Sequence, residues 1–343
     1  MEHRPIKQTA VIGAGSWGTT LAKLLADKVA DKGEQVFLWS HRAEHVDALR
    51  RDRENRRYLP GVALPGNLHP VNTFDSLSSC QCLVMVVPSH GFREVFRQLI
   101  PQLQDGTHLV SAVKGIEIET RQTMCEVMQQ ELAQQGRAGT MFIGVLSGPS
   151  FADEVATGQP TAVTVGFSDS RAAKTVQHLF STSFFRVYTS SDTIGLEISA
   201  AMKNVIAIAA GISDGLGYGL NTRAALITRG LAEITRLGIA LGADPLTFCG
   251  LGGMGDLVLT CTGNLSRNRT VGLKLGEGRT LQQALAEMTM VAEGVRTTKS
   301  CYRLAATVGV EMPILEQTYQ ILYEDKPCRA AVQDLFGRSL KEE

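Results

Sequence analysis

Strand-like and helix-like segments alternate in the first half of the sequence, which predicts an α/β protein with a mainly parallel, doubly wound sheet. Continuous apolar runs such as Leu83–Val87 are typical of strands that are buried on both faces of a sheet. Beyond residue 190 only helical spacing of apolar residues remains. We therefore expect an all-helical C-terminal domain, with the two domains at residues 1–190 and 191–343.

Short apolar strands and amphipathic helices are expected to follow one another through the first domain. The predicted strands are Thr9–Ile12, Gln35–Trp39, Cys82–Val87, Leu109–Ala112, Phe142–Leu146, Thr161–Val165 and Phe185–Thr189. The predicted helices are Gly18–Asp27, Ala43–Arg53, Gly91–Ile100, Thr120–Gln134 and Arg171–Leu179. This order of elements is the basis for expecting a sheet with helices on both faces.

Helices alone are expected in the second domain. Asp192 can cap the first of them, which continues at helical spacing to Ala209. A second helix is expected at about Thr222–Leu241, closed by Gly242 and Pro245. The remaining predicted helices are Leu246–Cys249, Arg269–Leu275, Leu281–Met288, Arg296–Val308 and Ile314–Glu324.

Composition narrows the class of protein without identifying it. The 343 residues are 44% hydrophobic and 20% charged, with 34 basic and 34 acidic side chains, so nothing drives the whole chain toward nucleic acid or membrane. We expect no signal peptide and no membrane span, since no apolar run approaches about 20 residues. The seven cysteines are scattered without a C-x-x-C pair, which favours reduced thiols in a cytoplasmic protein and no metal site.

A G-x-G-x-x-G loop lies between the first predicted strand and the first predicted helix, at Gly13, Gly15 and Gly18. This context predicts dinucleotide binding, with a tight turn at the first glycine, pyrophosphate approach at the second and close helix packing at the third. After the next strand the chain reads Ser40-His41-Arg42, where an NAD-selective site usually has an acidic residue. His41 and Arg42 are compatible with an additional phosphate, so the cofactor is NADP(H) or NAD(H).

Lys203 lies in a predicted helix that is apolar on nearly every side, so the helix should be buried. Burial of an ammonium group is costly and lowers its pKa toward neutrality, which suits a proton donor and acceptor. A lysine that reaches solvent from a domain edge is the alternative, and the local pattern does not decide between the two.

Two further segments follow predicted strands, at the edge of the sheet where ligands bind in such folds. Lys114 could contact an anion there, or could be a surface lysine before a turn. Gly148 and the backbone near Ser150 could approach a ligand closely. Ser150 could also cap a helix, because Asp153 and Glu154 follow it.

Polar residues also cluster late in the chain. Asp256 follows a glycine-dense run and could pair with Lys203, bind a substrate hydroxyl or only cap a helix. Ser266, Arg267 and Asn268 combine hydroxyl, guanidinium and amide donors ahead of a predicted helix, which favours phosphate binding over a solvated basic cap.

Taken together, these segments closely resemble the bacterial NAD(P)-dependent glycerol-3-phosphate dehydrogenase family. The resemblance covers nearly the whole chain and is carried, in order, by GAGSWG, LWSH, VVPSH, AVKGIE, SGPSFA, MKNVIAI, GDLVLTCTGNLSRNR and VAEG. It implies a Rossmann-type domain followed by a helical domain. The chain departs from the family mainly in Asp27–Glu34, which is longer than usual and has no assigned role.

The resemblance also implies site residues. Lys203 matches the family's proton acceptor. Cofactor contacts are implied at Ser16, Trp17, His41, Lys114, Ala152, Arg267, Val291 and Glu293. Substrate contacts are implied at Lys114, Gly148, Ser150, Lys203, Asp256, Ser266, Arg267 and Asn268.

The implied reaction is reversible hydride transfer between the nicotinamide and dihydroxyacetone phosphate (DHAP), giving sn-glycerol 3-phosphate for glycerophospholipids. The implied partner is this small phosphorylated substrate, without nucleic acid or membrane insertion, and the chain could form a homodimer. Two alternatives remain open at this point: a related reductase of a β-hydroxy acid, and a cofactor-sensing module without catalysis. The Ser266–Arg269 cluster argues against the first, and the set Lys203, Lys114 and Asp256 argues against the second.

Overall fold

The computed structural model describes residues 6–288, 292–340 and 342, which form two compact units. The sheet unit comprises the described residues up to 113 and residues 124–193, and the helical unit comprises residues 114–123 and the described residues from 194 onward. A single cut at residue 190 therefore misses residues 114–123. This segment joins the helical unit because Ile116 is buried in its apolar core and the Ile116 carbonyl accepts a hydrogen bond from Ser300.

The sheet unit contains an eight-stranded, mostly parallel sheet and a small two-stranded sheet. The strands are β1 (Gln8–Ile12), β2 (Gln35–Trp39), β3 (Glu54–Asn55), β4 (Leu59–Ala63), β5 (Leu68–Val71), β6 (Cys82–Met85), β7 (His108–Ser111), β8 (Phe142–Ser147), β9 (Thr161–Phe167) and β10 (Phe185–Ser190). The large sheet has the order β10-β9-β8-β7-β6-β1-β2-β5, and within it only β8 and β9 pair antiparallel. The expectation of a mainly parallel, doubly wound sheet is confirmed.

Strand order reverses at β1, which pairs with β2 on one side and with β6 on the other. Such a switch point opens a crevice at the carboxyl ends of the strands. All seven predicted strands are present, with ends shifted by at most two residues. Strands β3, β4 and β5 were not predicted. Strand β5 contains Pro70, which lacks a backbone donor and is tolerated here because β5 is at the edge of the sheet, where it pairs with β2 alone among the described strands.

Six α-helices accompany the large sheet among the described residues of the sheet unit. They are α1 (Ser16–Val29), α2 (Ala43–Asp52), α3 (Ser89–Leu99), α4 (Met124–Gln134), α5 (Ala152–Ala156) and α6 (Ser170–Phe180). Helix α4 begins later than Thr120, because Arg121 has a φ of +63° that a right-handed helix cannot contain. The long connection Asp27–Glu34 is partly helical: α1 continues to Val29 and a 3₁₀ turn follows at Ala30–Lys32.

Helices are the only regular secondary structure in the described part of the helical unit, as expected. They are α7 (Thr193–Gly215), α8 (Leu220–Ala240), α9 (Asp256–Thr262), α10 (Arg267–Gly276), α11 (Leu281–Ala286), α12 (Glu293–Val308), α13 (Pro313–Tyr323) and α14 (Cys328–Phe336). Helix α7 is long and apolar enough to cross a membrane by composition alone, yet 89% of its most apolar window is buried within the protein. It is therefore the core helix of this unit.

Candidate active site

The glycine loop between β1 and α1 is shaped by close backbone contacts. Gly13 has a φ of +125°, and a Cβ there would lie 2.9 Å from the backbone of Val86. A Cβ at Gly18 would lie 1.8 Å from the Gly13 carbonyl oxygen, so only glycine fits. A Cβ at Gly15 would meet nothing within 4 Å. The loop thus has the tight turn and close helix packing that its spacing predicts, with open space at the middle glycine.

Helix α1 presents an uncapped N-terminus beside this open space. Its N-cap is Gly15, which has no side chain to occupy the first N–H groups, and its first turn contains no acidic residue. The indole N–H of Trp17 is buried and has no hydrogen-bond acceptor among the described residues. A helix N-terminus without a side-chain cap and the positive end of the helix dipole suit a phosphate, so these residues fit a dinucleotide.

A buried polar network supports the loop from behind. The Asn55 side chain, 1% exposed, donates to the Ala14 carbonyl at 3.0 Å and to Thr19 Oγ1 at 2.7 Å. His45 bridges Asn55 Oδ1 at 3.1 Å and Ser40 Oγ at 3.2 Å. Burial lowers the pKa of His45, so the ring is neutral around pH 7, with Nε2 donating to the amide oxygen. Sequence reasoning missed this network, because Asn55 lies in no recognisable motif.

His41 and Arg42 are exposed where the chain leaves β2. Arg42 Nε donates to His41 Nε2 at 3.2 Å, and Arg42 is the N-cap residue of α2 without capping it by its side chain. Two basic groups therefore stand together at the position where an acidic residue would select NAD.

Gly148 follows β8 with a φ of +140°, and a Cβ there would lie 2.9 Å from Val163 Cα. Ser150 Oγ donates to the Gly148 carbonyl at 2.9 Å. The alternative that Ser150 caps a helix is wrong, since α5 begins at Ala152 with Phe151 as its N-cap residue. The Ala152 carbonyl in turn accepts a hydrogen bond from Thr20 on α1 at 3.2 Å.

Lys203 and Asp256 meet in the core of the helical unit, and Lys114 joins them. Lys203 Nζ lies 2.5 Å from Asp256 Oδ1, and Lys114 Nζ lies 2.8 Å from Asp256 Oδ2. Asp256 is fully buried and Lys203 is 5% exposed, so the expected burial of Lys203 is confirmed. Thr260 Oγ1 lies 2.8 Å from Lys203 Nζ. One carboxylate thus stands between two ammonium groups, and we call these three charged residues the Lys–Asp–Lys cluster.

Burial and neighbouring charge set the protonation of the cluster. Burial lowers the pKa of Lys203 to about 7, although the carboxylate of Asp256 opposes the shift and the charge of Lys114 adds to it. Burial alone would raise the pKa of Asp256, but the charges of Lys114 and Lys203 outweigh it and the pKa falls below its usual value. Asp256 therefore stays ionised while Lys203 can gain and lose a proton near neutral pH.

A head-to-tail chain of amide hydrogen bonds connects the cluster to two other segments. Asn204 Nδ2 donates to the Lys114 carbonyl at 3.1 Å, and Asn204 Oδ1 accepts from Asn268 Nδ2 at 2.9 Å. Asn268 Oδ1 in turn accepts from the backbone N–H of Gly294 at 2.9 Å. The structure thus brings together Lys114, Asn268 and the start of α12, which are far apart in sequence.

Ser266, Arg267 and Asn268 open helix α10. Ser266 is the N-cap residue, and its Oγ accepts a hydrogen bond from the Arg269 backbone N–H at 3.3 Å. Arg267 and Asn268 are the first two residues of the helix, so their side chains extend from the positive end of the helix dipole. We call Ser266, Arg267 and Asn268 the α10 clamp. Glu293 is the first residue of α12, and Val291 lies outside the described residues.

Two polar residues of this site escaped the sequence analysis. Asn204 adjoins Lys203 in the apolar helix and was a second buried polar group that the same argument could have singled out. Thr260 lies four residues after Asp256, which places both on one face of α9 once that segment is known to be helical. The helix itself was missed because a glycine-dense run precedes it.

Comparison with known proteins covers nearly the whole chain. Residues 8–173 match the N-terminal part, and residues 192–333 the C-terminal part, of the family described as NAD-dependent glycerol-3-phosphate dehydrogenase. A protein from Desulfotalea psychrophila named glycerol-3-phosphate dehydrogenase [NAD(P)+] is 61% identical, over 97% of this chain and 98% of its own. One of the same name from Geobacter sp. is 55% identical, over 98% of this chain and 99% of its own.

Solved structures agree with this result. The crystal structure of a glycerol-3-phosphate dehydrogenase from Coxiella burnetii has a TM-score of 0.91 and 41% identity, over 97% of this chain and 99% of that one. The yeast glycerol-3-phosphate dehydrogenase has a TM-score of 0.82 and 27% identity, over 98% of this chain and 100% of that one. The chain therefore belongs to the NAD-dependent glycerol-3-phosphate dehydrogenase family.

Proposed function

We propose that this protein catalyses reversible hydride transfer between NAD(P)H and DHAP, giving sn-glycerol 3-phosphate and so a backbone for glycerophospholipids. The observation that carries the proposal is Lys203, a buried lysine on a buried carboxylate, in a chain whose relatives are named glycerol-3-phosphate dehydrogenase [NAD(P)+]. Such a lysine is matched to proton transfer at neutral pH.

Lys203 is the proton donor in this proposal. When bound, the nicotinamide supplies the hydride to the carbonyl carbon or accepts it in reverse. Reduction of DHAP consumes one proton, which Lys203 Nζ gives to the carbonyl oxygen as negative charge develops there. In the reverse direction neutral Lys203 takes the hydroxyl proton. Asp256 holds the ammonium group in place, and Lys114, on the other oxygen of the same carboxylate, helps to orient the substrate.

The α10 clamp is assigned to the substrate phosphate. Arg267 offers a planar pair of donors, Asn268 has a second N–H beyond the one given to Asn204, and the helix N-terminus lies behind both. Binding energy at the phosphate, away from the reacting carbon, orients the carbonyl against Lys203. Gly148, Ser150, Ser266 and Lys114 are the other proposed substrate contacts.

The cofactor is assigned to the glycine loop and to the other contacts that the family resemblance implies. The support is the uncapped N-terminus of α1, the open space at Gly15 and the buried indole N–H of Trp17. The proposed cofactor contacts are Gly13, Gly15, Ser16, Trp17, Gly18, His41, Arg42, Lys114, Ala152, Arg267, Val291 and Glu293.

The activity is tested by following nicotinamide absorbance with purified protein in the presence and absence of DHAP. Oxidation of the reduced cofactor should depend on DHAP. Oxidation that instead depends on the keto acid corresponding to a β-hydroxy acid would support the alternative of a related reductase. Cofactor binding without turnover of either substrate would identify a sensing module.

We infer that NADPH is used at least as well as NADH, because His41 and Arg42 replace the usual acidic residue. A comparison of kcat/KM for the two cofactors tests this inference, and a strong preference for NADH would refute it. Arg42→Ala should then lower the NADPH/NADH ratio about tenfold, the loss expected for one charge-assisted contact of about 1.4 kcal/mol.

We further infer a cytoplasmic protein that could form a homodimer. All seven cysteines are free thiols, which suits a reducing compartment. Exposed apolar side chains on successive elements of the helical unit, Ile239, Leu246 and Val258, are compatible with self-association. Light scattering on a sizing column tests the dimer, and a monomer at assay concentration would remove it.

A further inference from the structure

Helices α7 and α10 are joined along a close backbone seam. A Cβ at Gly272 would lie 2.0 Å from the Ile208 carbonyl oxygen, and one at Gly276 would lie 2.4 Å from the Ile212 carbonyl oxygen. The contacts advance together along both helices, in the same register as the hydrogen bond between Asn204 and Asn268. Lys203 and Arg267 each precede one asparagine of that pair, so the seam sets the spacing between the proposed proton donor and the α10 clamp.

Glycine surfaces are smooth, and by themselves they leave a helix free to slide or rotate. A directional contact is present on the flank of the seam. Asp214, with its side chain 7% exposed, accepts Arg269 Nε at 2.8 Å and Arg269 Nη2 at 2.7 Å on Oδ2. Its other oxygen accepts Arg223 Nε at 3.0 Å and Arg223 Nη2 at 2.6 Å.

Arg269 is held at four points at the start of α10. Its Nη1 donates to Asn264 Oδ1 at 3.2 Å. Its backbone N–H is capped by Ser266 Oγ, its carbonyl oxygen would lie 2.0 Å from a Cβ at Gly211, and its guanidinium binds Asp214. Gly211 and Asp214 are three residues apart and share one face of α7. The Asp214–Arg269 pair therefore fixes the rotation of the first turn, which aims Arg267, together with the hydrogen bonds that Asn268 makes to Asn204 and Gly294.

We propose that Asp214 and Arg269 are positioning residues that aim the α10 clamp at the substrate phosphate and so set the preference for a phosphorylated substrate. The proposal rests on the proposed function. Neither residue needs to touch the substrate. Loss of the pair should displace the clamp relative to Lys203, and a displacement of about 1 Å can cost as much as 100-fold in catalysis.

The test compares Asp214→Asn with Arg223→Gln. Asp214→Asn removes the charge that holds Arg269, and should raise KM for DHAP about tenfold, with a smaller change in kcat. The preference for DHAP over unphosphorylated dihydroxyacetone should fall about tenfold. Arg223→Gln removes the other cation of the same carboxylate but leaves the Arg269 pair, so KM for DHAP should stay within about twofold of wild type.

A direct binding measurement separates this inference from the proposed function. Inorganic phosphate is titrated calorimetrically into each protein without substrate, and Asp214→Asn should bind it about tenfold more weakly. Wild type that binds phosphate but does not turn over DHAP would refute the proposed function alone. An unchanged KM and phosphate affinity in Asp214→Asn, or equal losses in Arg223→Gln, would overturn the positioning role.

Folding is checked by Tm and by far-UV circular dichroism, both of which should stay close to wild type. The Kd for NADPH does not serve as the control, because Arg267 of the α10 clamp is also a proposed cofactor contact. If Asp214→Asn does not fold, Arg269→Lys serves as the second test of the positioning role. Lysine keeps the charge but cannot place two nitrogens on one carboxylate oxygen, so KM should rise while Tm changes little. A wild-type KM in Arg269→Lys would then overturn the proposal.

Discussion

The glycine loop and the Lys–Asp–Lys cluster are built in different ways. The glycine loop in the sheet unit is made by backbone: a positive φ at Gly13, a contact that excludes any side chain at Gly18 and an uncapped helix N-terminus. The Lys–Asp–Lys cluster in the helical unit is made by side chains that meet in a core. Backbone geometry of this kind requires glycines at a fixed spacing, which is visible in the sequence. The cluster instead joins Asp256 to Lys114, 142 positions away, and to Lys203, 53 positions away.

This difference predicts which properties substitutions in each region should change. A loop shaped by backbone tolerates no added atom at its contact points, and its failure should appear in cofactor affinity and stability. A cluster of buried charges depends on every partner, since removal of one leaves another uncompensated, and its failure should appear in the chemical step. Four substitutions test the contrast.

Lys203→Ala should have the largest effect. Loss of a positioned general acid typically costs 10²–10⁴-fold, and we expect a fall of about 10³-fold in kcat for DHAP reduction. The Kd for NADPH, measured by quenching of protein fluorescence, should stay within about twofold. Near-normal turnover in this variant would remove Lys203 from the mechanism.

Asp256→Asn should lower kcat/KM about 100-fold and also move its pH dependence. In wild type, reduction of DHAP needs protonated Lys203, so its rate should decline as pH rises through the pKa of about 7, while glycerol 3-phosphate oxidation declines as pH falls through it. Without the carboxylate that raises the pKa of Lys203, both limbs should move to lower pH. Superimposable wild-type and variant profiles would contradict the assignment of this pKa to Lys203.

Gly18→Ala and Gly15→Ala form a matched pair with smaller effects. Gly18→Ala forces an atom against the Gly13 carbonyl and should destabilise the unliganded protein by about 1–3 kcal/mol, lowering Tm. Gly15→Ala places its methyl in open space, so Tm should stay near the wild-type value while NADPH affinity falls about tenfold. An unchanged NADPH affinity in Gly15→Ala would show that the space at Gly15 is not reserved for a ligand.

Much of the fold follows from local sequence, and the exceptions have physical causes. The seven predicted strands are present because each is a short apolar run that suits a buried parallel sheet. Strand β5 was missed because Pro70 argues against a strand unless the strand is known to lie at a sheet edge. The late start of α4 was missed because the positive φ of Arg121 is not visible in the sequence. In the site, Lys203 was identifiable as a charge in an apolar helix.

Partners in the site could not be foreseen in the same way. Pairing of Asp256 with Lys203 was one of several possibilities, and the second lysine on the same carboxylate was not anticipated. The Asn55 network and the Asp214–Arg269 pair have no sequence signature, because the contacts join segments that are 41 and 55 residues apart. Local patterns predict elements and single anomalous residues, whereas such pairings depend on how the elements pack.

Residues Lys114–Thr123 belong to the helical unit but lie in sequence between two parts of the sheet unit, so the helical unit is encoded by two separate segments of the gene. A fragment that encodes only the residues from 194 onward would specify a buried Asp256 with one of its two cations, and a core without Ile116. Such a fragment is therefore not a transplantable module. If recombination between relatives exchanges C-terminal halves, residues 114–123 must remain compatible with the incoming helices. The part of the chain that must be inherited together is therefore larger than the contiguous helices.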